Sequence, residues 1–194
     1  FDRDSTKTGP ASTLSSWPAT GSRKIVKKNL AFIGARGAGK SKISRKLGKA
    51  TGRTVLSTDM LISYEAGGRS IPDLAREEGW VNFRDREYKL LQKLSQMSGV
   101  IIDCGGGILV DTDGKQEFFS ERKALLLKSC AHIILVDRPE SWLLGRGQDP
   151  SRPALSDHLE YSTILERRLP WLQKAADFVL DMSQFTVESA VELL

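Results

Sequence analysis

Residues 30–41 read LAFIGARGAGKS, an apolar run from Leu30 to Ile33 that stops at Gly34 and ends in Gly39-Lys40-Ser41. This is the pattern G-x-x-x-x-G-K-[ST], and its chemistry requires those residue types in that order. Glycines let backbone N–H groups turn inward around the α and β phosphates of a nucleotide, the lysine reaches the β and γ oxygens, and the hydroxyl ligates Mg²⁺. Gly34, Ala35, Arg36, Gly37, Ala38, Gly39, Lys40 and Ser41 are therefore candidate ATP-binding residues, with Ser41 also a metal ligand. Leu30 to Ile33 reads as a buried strand, and Lys42 to Ala50 carries Ile43 and Leu47 four apart among basic residues, as a helix over a sheet does. The plainer alternative is a glycine-rich turn, but a chance match in a chain of this length is on the order of 1%.

Beyond this loop, short apolar runs alternate with helical patterns. Thr54-Val55-Leu56, Val100-Ile101-Ile102, Ile133 to Val136 and Phe178-Val179-Leu180 read as four further strands. Helices are expected over residues 60–66, 71–78, 81–97, 118–129, 139–146, 157–175 and 186–194. The fold class is α/β, a five-stranded parallel sheet flanked by helices. In such sheets ligands gather beyond the carboxyl ends of the strands, so the residues just after each apolar run are the ones to inspect.

The 194 residues, 40% of them hydrophobic, suffice for one sizeable core and leave little for a second. The excess of 29 basic over 24 acidic residues has no aromatic-interleaved basic stripe, which favours a local anion site over nucleic acid. Two cysteines, Cys104 and Cys130, have neither metal-ligand spacing nor the number of a disulfide framework and point to a reducing compartment. His132 begins an apolar run and reads as a packing residue. No apolar run approaches a membrane span. Residues 1–24, rich in Ser, Thr, Gly and Pro, read as a flexible leader with Trp17 as its one large anchor, followed by a phosphate-loop domain over 25–194. A plastid transit-peptide remnant has such a Ser-rich, basic character, although Asp2 and Asp4 weigh against it. The compartment expected is the cytoplasm, or the plastid stroma for a plant or algal source.

Ser57-Thr58-Asp59 follows the second strand, WVNFRDRE spans residues 80–87, and Asp103-Cys104-Gly105-Gly106-Gly107 follows the third strand. GRGQDPSRPALSD spans 145–157 and ERRLPWL spans 166–172. In this order and spacing, from about Asn29 to Asp181, the chain resembles the shikimate kinases, P-loop small-molecule kinases with a mobile lid. The resemblance implies a monomer that binds ATP, Mg²⁺ and shikimate, with no nucleic-acid or membrane partner. It implies that Arg84 and Arg168 clamp the shikimate carboxylate. Asp59 and the turn at Gly105, Gly106 and Gly107 would hold the ring hydroxyls, with Asp59 orienting the attacking 3-hydroxyl and acting as its base. It also assigns Arg146 to adenine stacking and Arg152 to the lid, over the transferring phosphoryl group. These roles suit a ring with one carboxylate and three hydroxyls, which needs guanidinium groups and a proton acceptor. Read alone, Arg84 is equally a helix-surface partner of Glu87, three residues on, Asp59 a helix N-cap ahead of Met60, and Arg152 a solvated loop charge.

Two positions depart from the family pattern. Ser57 stands where the family usually has the first acid of Asp-Thr-Asp, near the metal. The third strand ends in Asp103, where many phosphate-loop enzymes hold Mg²⁺ through an aspartate, so Asp103 is expected to supply the missing carboxylate. Trp171-Leu172 follows Arg168 where the family often has Tyr. Two rival readings remain open at this point. A gluconate kinase would share the loop and fold but lack the combined arginines and glycine turn. A non-catalytic nucleotide-binding relative is the other, with Ser57 as its best support.

Overall fold

The structure, a computed structural model, describes residues 28–147 and 160–194, with Arg146 and Gly147 described by backbone alone. The expected leader and Arg152 lie outside the described residues. Among the described residues, seven strands and seven helices follow one another: β1 (Asn29–Ile33), α1 (Lys40–Thr51), β2 (Val55–Ser57), α2 (Thr58–Glu65), α3 (Ile71–Leu94), β3 (Ile101–Asp103), β4 (Val110–Thr112), β5 (Glu117–Phe119), α4 (Glu121–Cys130), β6 (Ala131–Asp137), α5 (Glu140–Gly147), α6 (Tyr161–Ala175), β7 (Phe178–Asp181) and α7 (Val187–Leu193).

Five strands make a parallel sheet in the order β2-β3-β1-β6-β7. β1 lies at its centre with all five residues buried, which explains why its sequence is apolar throughout instead of alternating. From β1 the chain moves outward to β2, returns through β3 and then crosses to β6, so strand order reverses beside β1, where α/β sheets open a crevice. One face of the sheet is covered by α3 and α4, with Leu74, Leu91 and Leu127 buried against it; the other is covered by α1 and α7, with Ile43, Leu47 and Ala190. Burying side chains of this size contributes about 1.5–3 kcal/mol each.

The helices depart from expectation in instructive ways. The expected division between helices at 71–78 and 81–97 appears as a break inside α3 at Gly79, whose φ of 80° and ψ of 155° suit glycine alone. Glu78, just before the break, accepts hydrogen bonds from Arg86 after it at 2.6 and 2.9 Å. The helix expected from residue 118 starts instead at Glu121, capped by Ser120, whose hydroxyl accepts from the Lys123 N–H. Phe118 and Phe119 belong to β5, which pairs with β4 in a hairpin that the periodicity did not reveal. Its turn is built by Asp113, which accepts from the N–H groups of Lys115 and Gln116, and by Gly114 at φ 91°. His132 makes an edge contact with Phe178, consistent with packing.

Candidate active site

One cavity of about 680 Å³ opens at the crevice and joins the phosphate loop to the residues after β2 and β3. On the loop side its wall is largely backbone. Gly37 and Gly39 adopt φ of 83° and 106°, the left-handed region. A Cβ on Gly34 would lie 2.5 Å from the Val136 carbonyl oxygen on β6, so only glycine fits beneath the loop. α1 starts directly after Gly39 and has no acidic residue in its first turn, which leaves the positive end of its dipole facing the loop. Lys40, 8% exposed, folds back so that Nζ donates to the carbonyls of Gly34 (2.8 Å) and Ala35 (3.0 Å). Ala35, Arg36, Gly37, Lys40 and Ser41 line the cavity. Ala38 does not: its side chain is buried in the core under the loop.

The opposite side is made of side chains drawn from distant segments. Ser57, not Asp59, caps α2, its Oγ accepting from the Met60 N–H at 3.5 Å. This corrects the cap reading and leaves the Asp59 carboxylate facing the cavity. Asp59 is open to the cavity but lies deep among protein atoms. Desolvation there, reinforced by the Glu87 charge and against the pull of Lys40, raises its carboxyl above the usual carboxylate range. The Gly105-Gly106-Gly107 turn closes around these groups. The Gly105 N–H donates to Thr58 Oγ1 at 2.8 Å, a Cβ at Gly105 would lie 2.1 Å from Asp59 Oδ1, and one at Gly107 would lie 2.7 Å from Arg84 Nη1. A side chain at either position would displace Asp59 or Arg84 from where it stands.

Arg84 and Glu87 do pair, at 3.0 and 3.1 Å, as the plainer reading expected, yet both are buried in the cavity wall and neither is a surface residue. Arg84 Nη1 also donates to the Gly107 carbonyl at 3.2 Å, while its buried Nε has no hydrogen-bond partner among the described residues. Glu87 in turn accepts from Lys123 at 2.9 Å, a lysine with no exposed side-chain surface. Burial pulls the Lys123 ammonium below the usual lysine range, with Glu87 opposing. Arg168 on α6 is buried too and donates from Nε (3.1 Å) and Nη2 to the two oxygens of Glu117 on β5. Trp80 and Phe83 supply an apolar wall beside Arg84, whose guanidinium lies 5.1 Å from the Trp80 ring centre. Leu172, one of the two residues that depart from the family pattern after Arg168, lines the cavity as well.

Asp103 and Ser57 end β3 and β2 as register partners, so the expected adjacency of the two positions holds. Both line the cavity together with Ser41. Asp103 is buried, and its Oδ1 has no hydrogen-bond partner among the described residues. A buried carboxylate oxygen without a partner, on a residue that lines the same cavity as Ser41, fits a hard cation. No group of three or more His, Cys, Asp or Glu suited to a metal occurs among the described residues. Arg146 lies in α5, with only its backbone described.

Glu117 and Lys123 carry structural weight in this site and the motifs did not single them out, while Glu87 entered only as a helix-surface partner of Arg84. Asp113-Gly114 between residues of high strand propensity was the available signal for the hairpin that brings Glu117 in. Nothing in the sequence marks Lys123 as buried.

A family model described as "SKI: Shikimate kinase" matches residues 36–194. A curated relative from Leptospira borgpetersenii serovar Hardjo-bovis (strain JB197), named shikimate kinase, is 49% identical over 167 residues, covering 84% of this chain and 93% of its own. Among solved structures, a shikimate kinase from Acinetobacter baumannii in complex with shikimate matches with a TM-score of 0.71 and 26% identity over 86% of this chain and 89% of its own. A gluconokinase from Sinorhizobium meliloti 1021, with a TM-score of 0.51 and 15% identity over 88% of this chain and 90% of its own, shares the fold alone.

Proposed function

The chain belongs to the shikimate kinase family, and we propose that it transfers the γ-phosphoryl group of ATP to the 3-hydroxyl of shikimate, giving shikimate 3-phosphate and ADP. The observation that carries this reading is one cavity lined by Lys40 and Ser41 at one end and by Asp59, Arg84, Arg168 and the Gly105–Gly107 turn at the other. The two ends supply what each substrate requires. The loop offers inward N–H groups, a helix N-terminus and an ammonium to the phosphates. The far end offers two guanidiniums to the carboxylate and one carboxylate to the hydroxyls.

Lys40 exchanges its carbonyl partners for phosphate oxygens and stabilises the charge that moves onto them during transfer. Asp59, whose raised carboxyl makes it a better proton acceptor than an ordinary aspartate, takes the proton of the 3-hydroxyl as the oxygen attacks phosphorus. The Gly105–Gly107 backbone holds the ring against the loop: a Cβ on Gly106 would already lie 3.4 Å from the Arg36 nitrogen. Trp80, Phe83 and Leu172 exclude water, the competing acceptor. Arg152, by resemblance, completes the charge stabilisation from the lid, and Arg146 supports the adenine.

Ser41 and Asp103 would hold Mg²⁺, the cation that neutralises the β and γ oxygens when bound. Asp103 would take the place of the carboxylate that Ser57 lacks, an assignment supported by their register pairing and by the orphan Oδ1. The test of the whole reading is ADP release with shikimate, with gluconate and without acceptor. Shikimate-dependent release supports it; release with gluconate alone, or none with either, overturns it.

A further inference from the structure

Glu117 is the least expected member of the charged cluster. It stands on β5, in a hairpin between the glycine turn and α4, and it does not itself line the cavity. Yet its two oxygens accept from Nε and Nη2 of Arg168, Arg84 Nη2 lies 3.9 Å from its Oε1, and Arg167 Nη1 lies 3.7 Å from its Oε2. It therefore approaches the two cavity-lining guanidiniums from behind. The bidentate fork fixes the plane of Arg168 and engages one edge of the guanidinium, leaving the Nη1 donors uncommitted to Glu117.

We propose that Glu117 is a positioning residue that gives the site its preference for a carboxylate-bearing ring. It holds Arg168 in place and offsets its repulsion with Arg84, so that both present donors to one carboxylate. This rests on the assignment of Arg84 and Arg168 to the shikimate carboxylate. Two effects of Glu117 oppose each other. Its negative charge also repels an incoming carboxylate, but the side chain is 22% exposed, so water and salt screen that longer-range effect, whereas the direct hydrogen bonds to buried Arg168 are not screened. Orientation wins.

The experiment compares shikimate with its carboxamide as acceptor in the full chain. Glu117→Gln keeps the shape but turns donors toward Arg168, and it is expected to raise the KM for shikimate about tenfold while leaving the KM for ATP unchanged. The carboxamide should be affected little, so the preference for carboxylate over carboxamide falls by about the same factor; damage that is merely structural would weaken both acceptors alike. Glu117→Asp, which keeps the charge but withdraws it by one methylene, should fall between, and it carries the same comparison if the glutamine variant folds poorly. An unchanged preference in both variants, equal loss toward both acceptors, or a lowered KM for shikimate overturns the proposal. Arg168→Ala separates the two layers of argument. If it leaves the preference intact, the carboxylate assignment itself fails; if it abolishes the preference while the Glu117 variants retain it, only the role of Glu117 fails.

Discussion

The two ends of the cavity are built by different means. The phosphate loop is one contiguous stretch whose working parts are backbone N–H groups, three left-handed or tightly packed glycines and a helix start. The far end is an alternating series of charges, buried Arg168, Arg84, Glu87 and Lys123 with half-buried Glu117 between the two arginines, gathered from α6, β5, α3 and α4. A backbone site tolerates most side-chain changes around it but depends on its few side-chain cations. A networked site spreads its dependence, because each buried charge left without its partner carries a desolvation cost. The loop should therefore fail sharply at one residue, and the acceptor end should fail by degrees at several.

The sharpest break is expected at Lys40. Lys40→Ala removes a cation aimed at the β and γ oxygens and should lower kcat by about a thousandfold with the fold retained, as judged by circular dichroism and turnover. Near-normal turnover in a folded variant would defeat the nucleotide assignment. Next comes Arg84→Ala, which should raise the KM for shikimate by about ten- to a hundredfold and that for ATP far less, since a charge-assisted bond contributes roughly 1.5–3 kcal/mol. Equal weakening toward both substrates would instead show that the network holds the whole cavity together.

A smaller effect should appear where the two ends meet. Asp103→Asn is expected to raise the Mg²⁺ concentration for half-maximal activity by about three- to tenfold, because an amide does not offset the cation's charge. Ser57→Asp in the same chain should recover part of that loss, since the two positions are register partners and aspartate is as good a helix cap as serine. Titrations of the unaltered chain, Asp103→Asn, Ser57→Asp and the double variant decide it, and an unchanged requirement in Asp103→Asn returns that residue to a strand-end role.

The smallest effect concerns stability. The folded chain holds the Asp59 proton more tightly than the unfolded chain does, so stability declines as pH rises from the ordinary aspartate range through the raised value. Asp59→Asn, which also removes turnover, should flatten that decline and raise Tm slightly at neutral pH. A lowered Tm would mean that the carboxylate stabilises the fold.

This contrast also explains how much of the molecule was legible beforehand. Gly34 to Ser41 is readable because backbone chemistry forces a fixed spacing on consecutive residues, and β1 is readable because burial on both faces makes it apolar throughout. Arg84 carries no such mark. The same Arg-x-x-Glu spacing describes a solvated helix face, and only the fold, by burying both residues, changes its meaning. Resemblance supplied the role of Arg168 but not its partner, because Glu117 arrives on a hairpin whose Asp113-Gly114 turn sits in a stretch that otherwise reads as the approach to a helix. Lys123 shows the limit most clearly: within α4 it is one basic residue among several, and its complete burial follows from β4 and α3 meeting above it.

The break in α3 bears on how the cavity comes apart. Gly79 interrupts the helical run, so Ile71–Glu78, which brings Ile71, Pro72 and Ala75 to the acceptor wall, has a backbone ladder separate from that of the segment carrying Phe83, Arg84 and Glu87. One half-exposed, bidentate ion pair spans the break, Glu78 with Arg86, while Glu78 also pairs with Arg69 ahead of the helix. The first segment is anchored in the core by Leu74 and Ala75, and the break at Gly79 lets it open as a unit of its own, an expectation that its amide exchange rates test. Its amides would exchange with solvent on a faster clock than those of the segment behind it, and the acceptor end would loosen while the phosphate loop, locked under β6 at Gly34, still kept its shape.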